Sequence, residues 1–463
     1  MASQAYDAVH WYMEEVGARV VAKTGIPSDR HHLGKLILHS LQDDPDFIFQ
    51  MDGATGESET FGSALDRSIR CAVSLTNMGL KKGDVMVLMG PNHIHFSVPH
   101  NAALYLGIMV ACVDATLGVN NHYTTLSQLL KVDDAAIKNF RPTDFDPAET
   151  VAYLTSTSGT TGVPKTAMLT HKNLSIGIRY IWIEFSKFPT PTRMVIVTSP
   201  AQWLSAGFHY LFSPIMKYTR LQTSATVTPE HFGELVNKYK PTYILISPTL
   251  MTTMMSKAKC DFNCFENIQV GGSAVTQEFL ADLKKITNAK IYILYGMSEV
   301  SGPTLQQDES TQPGSYGRPI GGLELKLVDP KTYRVITEPH VPGELWYRGP
   351  SVFKGYYNNE EMTKETLTED GWLKSGDILY RDEAWNLFFV ERYKLLLKYR
   401  NHQVSPSEVE SVIMKHPGVF QVAVTGIPDR ECGDLVVACV VPKSGCSPSA
   451  QEIKDLVKGG VVF

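Results

Sequence analysis

The chain has 463 residues, 43% of them hydrophobic and 10% aromatic, which is enough for roughly two to four domains with buried cores. A formal net charge of −5 gives no electrostatic reason to expect a nucleic-acid partner. The seven cysteines have no paired spacing, which predicts reduced thiols in an intracellular protein. The longest apolar run, residues 102–113, is too short to span a bilayer.

Predicted helices and buried strands alternate along the first two thirds of the chain. The segment "KKGDVMVLMG" predicts a strand, and the apolar residues that follow predict a helix through Val110. Further on, Thr228 is expected to cap a helix that stops before Pro241, with a strand over Tyr243–Ser247 behind it. This alternation predicts α/β layers with largely parallel strands.

From about Gly321 the pattern changes to short alternating strands separated by turns. "LELKLVD", "GELWYRG" and "NLFFVER" predict a small β-rich module. Ser405 is expected to cap the next helix, with Glu408 completing a capping box, and "VFQVAVTGIPD" and "DLVVACVVP" predict two more strands. We therefore expect an α/β fold with a large multi-layer α/β N-terminal domain, a β-rich subdomain, and a small α+β C-terminal domain.

The segment "STSGTTGVPK", residues 156–165, is rich in hydroxyl side chains and glycine and ends in a lysine. Glycine lets the backbone approach a ligand closely, and successive N–H groups in such a turn form a concave site for anions. Apolar "VAYLT" precedes the loop and "AMLTHKNL" follows it, which favours a loop held between ordered elements over a flexible linker. We predict a polyphosphate cradle with Lys165 as its positive charge.

Three further stretches carry residues suited to nucleotide chemistry. In "YGMSEV", Tyr295 offers a flat face to a base, while Ser298 and Glu299 supply the hard oxygen ligands that Mg²⁺ prefers, although the hexapeptide alone is also typical of a strand-to-loop turn. In "GWLKSGDILYRD", Asp377 could hold two ribose hydroxyls, although Gly-Asp turns are common. In "ERYKLLLKYRNHQVSP" four basic residues lie close together, an arrangement that a solvated face also explains: Arg392, Lys394, Lys398 and Arg400.

In this order the motifs resemble the adenylate-forming superfamily of acyl-CoA synthetases, 4-coumarate–CoA ligases and beetle luciferases, especially its insect luciferase-like acyl-CoA synthetase branch. The resemblance runs from about Leu33 to the end of the chain, and the segments that carry it are 157–165, 295–299, 317–319, 371–377 and 391–394. It implies ATP-dependent activation of a hydrophobic carboxylate, with a fatty acid expected, to an acyl-AMP, followed by thioester formation with coenzyme A. ATP, Mg²⁺ and coenzyme A are the implied cofactor and co-substrates.

The resemblance also implies a domain division and a role for each matching residue. A large AMP-binding domain is expected over residues 1–391 and a small C-terminal domain over 392–463. The implied ATP- and AMP-binding residues are Thr157, Ser158, Gly159, Thr160, Thr161, Gly162, Lys165, Gly271, Gly272, Tyr295, Gly296, Ser298, Asp377 and Arg392. The implied catalytic residues are Lys165, Glu299 and Lys398, with Glu299 as the metal ligand. Trp203 and Gly207 are expected at the acyl pocket. Glu391 is expected at the domain hinge, and Asn401 at the coenzyme A tunnel.

The sequence departs from the family pattern in several places. Thr166 and Asn401 stand where relatives have glycine, and Trp203 lies near a position where luciferases have histidine. Relatives end in a Pro-x-x-Gly-Lys segment whose lysine serves adenylation, and they are longer near residues 118–140. We therefore expect an incomplete C-terminal domain. The alternative to an active enzyme is a catalytically impaired protein that binds a nucleotide or an acyl group, or a truncated isoform without the C-terminal catalytic lysine.

Other interpretations of these motifs are weaker. An ordinary P-loop NTPase needs Gly directly before the lysine, whereas here Gly159 and Lys165 stand six apart without it. His93 and His95 could bind a metal, but no third ligand is visible, so hydrogen-bonded structural roles are favoured. A peroxisomal location is typical of the resembling branch, but the chain lacks a Ser-Lys-Leu-type terminus, and the cytoplasm is the alternative.

Overall fold

The structure is a computed structural model. It describes residues 7–113, 125–157, 165–177, 179–180, 193–273, 275–307, 310–399, 402–429 and 433–460. The chain forms two compact units. The first unit comprises Met1–Gln307, Pro319–Leu323 and Gly349–Leu367, and the second comprises Asp308–Arg318, Glu324–Arg348 and Thr368–Phe463. The expected domain division after residue 391 remains a prediction.

The first unit contains the alternating helices and strands. Its helices are α1 (Asp7–Thr24), α2 (Leu33–Asp43), α3 (Phe61–Asn77), α4 (Ser97–Leu106), α5 (Leu126–Leu129), α6 (Asp134–Lys138), α7 (His171–Gly177), α8 (Leu204–Met216), α9 (Pro229–Tyr239), α10 (Pro248–Lys257), α11 (Gln277–Ile286) and α12 (Glu360–Thr366). Its strands are β1 (Ile48–Asp52), β2 (Ser58–Thr60), β3 (Val85–Met89), β4 (Met109–Val113), β5 (Val151–Thr157), β6 (Lys165–Thr170), β7 (Met194–Ile196), β8 (Thr219–Gln222), β9 (Tyr243–Ile246), β10 (Asn267–Gly271), β11 (Lys290–Met297) and β12 (Gly302–Gln306). The short strand β13 (Arg318–Pro319) contains a point at which the chain passes from one unit to the other.

Two sheets organise the first unit. The larger one has the strand order β12-β11-β10-β9-β7-β8-β1-β2, and the smaller one has the order β3-β4-β5-β6. Their central pairs are parallel, including β9–β10, β10–β11 and β4–β5, whereas β11–β12 and β5–β6 are antiparallel. Side chains such as Phe232, Ile244 and Val270 are fully buried in the core of the larger sheet. The predicted α/β architecture with largely parallel strands is confirmed.

The second unit is mostly β-structure. Its strands are β14 (Glu324–Val328), β15 (Val335–Ile336), β16 (Gly343–Arg348), β17 (Leu373–Arg381), β18 (Leu387–Arg392), β19 (Leu397–Tyr399), β20 (His402–Val404), β21 (Val419–Asp429) and β22 (Gly433–Pro442), and its helices are α13 (Pro406–Ile413) and α14 (Ala450–Gly460). One sheet has the order β15-β14-β16-β17-β18 and the other the order β20-β19-β22-β21. Buried Val409 and Ile413 of α13 pack with Val424 and Ile453. The predicted β-rich module and the last α+β unit are both confirmed.

The sequence correctly predicted helix α9, where a capping residue and a helical spacing of apolar residues agree. It wrongly predicted the end of the helix that contains α4, which lies in a continuous apolar run. Helix α9 begins as predicted, because the Thr228 hydroxyl accepts a hydrogen bond from His231 N at 3.2 Å. The predicted helix through Val110 is wrong: α4 ends at Leu106, Gly107 has φ of 70°, and Met109–Val113 forms β4. A left-handed glycine ends a helix readily, and a buried parallel strand has the same continuous apolar pattern as a buried helix.

Two sequence predictions concern cysteine and histidine chemistry. The six cysteines of the described residues are free thiols: Cys71, Cys112, Cys260, Cys264, Cys439 and Cys446. His93 accepts a hydrogen bond from His95 N at 3.1 Å, and His95 Nδ1 lies 2.8 Å from an Arg67 nitrogen. Both imidazoles therefore have the hydrogen-bonded roles that the sequence favoured. No helix of the described residues is long and apolar enough to cross a membrane.

A buried histidine lies directly after β6, at the first position of α7. The ring of His171 is fully buried, 4.8 Å from the Phe145 ring and 5.4 Å from the His32 ring, centroid to centroid. Within the described residues neither of its ring nitrogens has a hydrogen-bond partner. Burial holds the pKa of His171 well below its usual value, and burial also lowers the pKa of His32 to about 4. Both rings are therefore neutral in the folded protein.

We expect His171 to make the fold sensitive to acid. As the pH falls through about 6.5 the unfolded state binds a proton that the folded state does not, so stability is lost on acidification. Replacing His171 by Phe keeps a ring in this site and removes the titrating group. Between pH 7.5 and 5.5 the variant should lose about 1 kcal/mol less stability than the natural chain.

Urea unfolding at the two pH values measures this difference. His340→Gln is the control for the loss of an exposed imidazole, because the His340 side chain is 59% exposed and its pair with Glu383 lies at the surface. Equal pH dependence of the natural chain and the His171→Phe variant would contradict the assignment.

Candidate functional site

The predicted phosphate loop connects two paired strands. Strands β5 and β6 are antiparallel, Thr157 lies opposite Lys165, and the Thr157 hydroxyl donates to the Lys165 carbonyl oxygen at 3.4 Å. The expectation that this loop is held between ordered elements is confirmed, and both flanking elements are strands. The residues between them lie outside the described residues: Ser158, Gly159, Thr160, Thr161, Gly162, Val163 and Pro164.

Lys165, at the first position of β6, lies among side chains from a segment far along the chain. Its Nζ atom is 3.1 Å from the Met362 sulfur in α12 and 5.4 Å from the centroid of the Tyr356 ring. A thioether is a weak acceptor, and the face of a phenol ring attracts a cation. These contacts hold the ammonium group at the end of the hairpin where the loop begins.

Glu299 lies in the short helical turn Ser298–Val300 directly after β11. It is 7% exposed, and its Oε1 atom accepts a hydrogen bond from the Tyr356 hydroxyl at 2.8 Å. Burial, with the adjacent Glu299 charge, raises the pKa of the Tyr356 phenol, so that the phenol remains a donor. Tyr356 thus contacts both predicted catalytic side chains, Lys165 through its ring and Glu299 through its hydroxyl.

We call residues 353–357 the strap, because they pair along the free edge of β6 and continue to Glu299. Met168 N donates to Gly355 O at 2.9 Å, and Tyr357 N donates to Thr166 O at 2.8 Å. At its other end, Phe353 N donates to Glu299 O at 2.8 Å. Thr166 takes part as an ordinary strand residue of β6. Sequence reasoning missed the strap, because its residues belong to none of the segments that carry the resemblance.

Two of the predicted nucleotide-binding glycines are sites where the backbone allows no side chain. A Cβ atom at Gly271, the last residue of β10, would lie 2.5 Å from Leu294 O, and one at Gly296 in β11 would clash with Gly302 O. Gly272 has φ of 90°, with open space around it. Tyr295 is half-buried in β11, beside Gly296. The ends of β10 and β11 therefore present closely packed backbone with room beside Gly272.

The predicted acyl-pocket residues lie on and just before α8. Trp203 is 51% exposed, and it lines a small pocket together with Cys112, Tyr153, Leu154, Thr155, Ala201, Gln202 and Leu204. A Cβ atom at Gly207 would lie 3.2 Å from the Tyr153 ring, so glycine leaves room for that ring. The Tyr153 hydroxyl is hydrogen-bonded to His100. Trp203 is thus an exposed apolar flank of the pocket, and Tyr153 is a buried wall that sequence reasoning missed.

In the second unit, Asp377 and Arg392 lie opposite each other on β17 and β18. Arg392 Nε is 3.3 Å from Asp377 Oδ1, and Asp377 is 6% exposed. This ion pair places a carboxylate and a guanidinium group side by side on one strand pair. These two implied nucleotide-binding residues are therefore brought together.

The predicted hinge residue Glu391 is bonded to the beginning of α13. Its Oε2 atom accepts from Ser405 Oγ at 3.2 Å and from Ser407 N at 3.1 Å, and its Oε1 atom accepts from Arg392 N at 2.8 Å. Ser405 Oγ in turn accepts from Glu408 N at 3.3 Å, which confirms its predicted capping role. A carboxylate is favourable at a helix N-terminus. Lys398 lies in β19, but the structure describes nothing of its side chain, and Asn401 lies outside the described residues.

Comparison with known proteins gives consistent matches. Residues 119–357 match the family model described as "AMP-binding enzyme", and residues 408–461 match "AMP-binding enzyme C-terminal domain". The chain is 29% identical over 470 residues to luciferin 4-monooxygenase of Photuris pensylvanica, a match that covers 88% of this chain and 84% of the relative. It is 30% identical over 466 residues to 4-coumarate–CoA ligase-like 4 of Oryza sativa subsp. japonica, covering 88% and 83%. It is 29% identical over 462 residues to the peroxisomal OPC-8:0-CoA ligase 1 of Arabidopsis thaliana, covering 88% and 83%.

Solved structures share the fold. ATP-bound MatB from Rhodopseudomonas palustris is similar with a TM-score of 0.79 and 21% identity, over 93% of this chain and 92% of that chain. The luciferase-like enzyme from the nonluminescent Zophobas morio mealworm is similar with a TM-score of 0.68 and 22% identity, over 78% and 95%. The family models and the curated relatives show that the chain belongs to the adenylate-forming family of AMP-binding enzymes.

Proposed function

We propose that this member of the adenylate-forming CoA ligase family activates a hydrophobic carboxylate, with a fatty acid as the expected class. The observation that carries the proposal is the convergence of Lys165 and Glu299 on Tyr356, at the end of the phosphate-loop hairpin. A cation and a carboxylate beside the predicted phosphate loop suit the binding of a nucleoside triphosphate and its metal.

The family reaction has two half-reactions. In the first, a carboxylate oxygen attacks the α-phosphorus of ATP, the bond from that phosphorus to the bridging oxygen breaks, and pyrophosphate leaves. In the second, the thiol sulfur of coenzyme A attacks the acyl carbon, the thiol proton passes to solvent, and AMP leaves with the original carboxylate oxygen. Atoms and electrons balance in both half-reactions without an oxidant or a reductant.

Lys165 is proposed to balance the charge of the terminal phosphates. Its ammonium group lies 3.1 Å from the Met362 sulfur, a weak acceptor, and 5.4 Å from the centroid of the Tyr356 ring. The predicted loop residues Thr157 and Ser158–Gly162 would supply backbone and hydroxyl donors to the same phosphates.

Glu299 is proposed as the protein ligand of Mg²⁺. Its Oε1 atom accepts the Tyr356 hydroxyl, and within the described residues Oε2 carries no hydrogen bond, so one hard oxygen remains for a ligand. The described residues hold no group of three or more side chains suited to a metal, which fits an ion bound through one carboxylate and substrate phosphates. When bound, Mg²⁺ would neutralise charge on the triphosphate.

The remaining sequence-predicted residues are proposed in narrower roles. Asp377, oriented by Arg392, would accept hydrogen bonds from the ribose hydroxyls, and Tyr295 would lie against adenine. Ser298 would donate near the α-phosphate. In the second half-reaction, Glu391 would act at the domain hinge, and Lys398 and Asn401 would act on the coenzyme A side.

The substrate class is proposed from the pocket beside Trp203. Its lining is largely apolar or aromatic, with Leu154, Leu204 and the Tyr153 ring next to the half-exposed indole. One relative is named for OPC-8:0 and another for 4-coumarate, so relatives of this chain are named for different acids. A largely apolar pocket suits a hydrophobic carboxylate, and the fatty acid is the class expected from the resemblance. A peroxisomal location is also proposed, on the resemblance and on one relative's name, and imaging of an internally tagged chain decides it.

Carboxylate-dependent exchange of labelled pyrophosphate into ATP tests the proposed function. We expect exchange above background with saturated fatty acids, weaker exchange with 4-coumarate, and loss of most exchange in the Lys165→Ala variant. Lys172→Ala is the matched control, because Lys172 lies in α7, beyond the end of β6. A folded chain that binds ATP but exchanges with no acid would instead indicate a nucleotide-binding protein without adenylation activity.

A further inference from the structure

We propose that Tyr356 is the residue that positions Glu299 for its metal and sets the resting place of Lys165. The inference rests on the function proposed above and deepens it, because it assigns a role to a residue outside the motifs that the sequence singled out. The sequence separates Tyr356 from Glu299 by 57 positions, yet the structure places hydroxyl and carboxylate 2.8 Å apart.

The hydroxyl of Tyr356 fixes the direction of the Glu299 carboxylate. Glu299 is nearly buried, and its backbone is held by the strap, since Phe353 N donates to Glu299 O at 2.8 Å. With the backbone fixed, the phenol hydrogen bond to Oε1 selects one rotation of the carboxylate plane. That rotation determines where Oε2 lies, and Oε2 is the atom proposed to bind the metal.

Tyr356 is itself held rigidly. It is 5% exposed, its N–H donates to the Thr363 hydroxyl at 2.9 Å, and its ring packs edge-on against the Phe353 ring at 4.9 Å between centroids. The preceding Gly355 has φ of 128°, and a Cβ atom there would lie 2.8 Å from the Thr363 side chain. The backbone on both sides pairs with β6. The Tyr356 phenol therefore cannot move with the Glu299 carboxylate. It fixes the orientation of that carboxylate instead.

The ring of the same residue faces the lysine. Lys165 Nζ lies 5.4 Å from the ring centroid, within the range in which a ring face attracts a cation. One rigid side chain therefore contacts both the carboxylate proposed to bind the metal and the ammonium group proposed to bind phosphate. The two functions of Tyr356 are separable, because one uses the hydroxyl and the other the ring.

Tyr356→Phe tests the first function, because it removes the hydroxyl and keeps the ring next to Lys165. We expect the Mn²⁺ concentration for half-saturation, measured by electron paramagnetic resonance with a non-hydrolysable ATP analogue, to rise about tenfold, the loss typical of a missing partner to a metal ligand. At saturating metal, kcat for pyrophosphate exchange should change less than about threefold, because the metal site refills.

Tyr357→Phe is the matched control, since it removes the same atom from the neighbouring residue, which is 37% exposed. Its Mn²⁺ affinity should equal that of the natural chain. Equal affinity in Tyr356→Phe, with exchange activity present in the natural chain, would overturn the positioning role alone. A shifted Mn²⁺ affinity in a chain that shows no exchange with any acid would support the positioning role and overturn the proposed function.

Discussion

Glu299→Gln is expected to reduce carboxylate-dependent pyrophosphate exchange by roughly 10²–10³-fold, the cost typical of removing one group that stabilises developing charge. Glutamine keeps the volume of the side chain, and its amide oxygen can still accept the Tyr356 hydroxyl at the position that Oε1 occupies. What it removes is the negative charge at the atom proposed to bind Mg²⁺. The loss should therefore appear in catalysis while the fold remains.

The measurement is exchange at saturating ATP over a range of Mg²⁺ concentrations, with thermal unfolding as the check on folding. Glu278→Gln is the matched control, because this glutamate is exposed at the beginning of α11 and its replacement should leave exchange unchanged. A pyrophosphate-exchange rate of Glu299→Gln within about threefold of the natural chain would contradict the role of Glu299, because loss of a metal ligand should reduce the rate much more.

Arg220→Met is expected to cost the first unit about 3–5 kcal/mol of stability, because several buried acceptors, each worth about 1–3 kcal/mol when left without a donor, lose their partner together. Arg220 lies in β8, and its side chain is fully buried. Its guanidinium nitrogens donate to Gln222 Oε1 at 2.5 Å, Ser97 Oγ at 2.6 Å, Ser213 Oγ at 2.9 Å, His209 O at 3.0 Å and the Gln50 side chain.

Methionine fills much of the same volume but donates nothing, so several buried acceptors lose their partner at once. The guanidinium carbon also lies 4.2 Å from the centroid of the Tyr210 ring, a contact that methionine replaces only in part. Chemical denaturation followed by tryptophan fluorescence measures the change. Arg334→Met is the control, because its pair with Glu338 is exposed and should contribute less than about 1 kcal/mol. A loss below 1 kcal/mol for Arg220→Met would contradict the network.

Much of the fold could be predicted because its local signals agree. The cap at Thr228, the period of α9 and the strand after Pro241 are consistent with one another, and the antiparallel strands of the second unit alternate clearly. The boundary at Gly107 could not be predicted, because the apolar residues on either side have the same composition whether they form a helix or a buried strand. Only the left-handed backbone of that glycine separates α4 from β4.

The candidate site likewise contains residues that the sequence predicts and residues that only the structure shows. Lys165, Glu299 and Asp377 were predicted from their motifs, and Arg392, the partner of Asp377, ends a strand that the sequence also predicted. Tyr356 could not be found, because its partners lie far away in sequence and meet it only through the strap. The hydrogen bond from Ser405 to Glu391 was missed for a related reason. A capping residue predicts where a helix begins, but it does not predict which carboxylate lies at that end.

The central claim is that the carboxylate itself attacks the α-phosphorus, and oxygen tracing tests it most directly. The chain is incubated with ATP, Mg²⁺, coenzyme A and a saturated fatty acid labelled with ¹⁸O in both carboxylate oxygens, and the AMP is analysed by mass spectrometry. We predict that AMP forms only when the acid is present and that each molecule carries one ¹⁸O atom, because AMP departs with the oxygen that attacked. AMP without label, formed at the same rate whether or not the acid is present, would show hydrolysis of ATP by water and contradict the account.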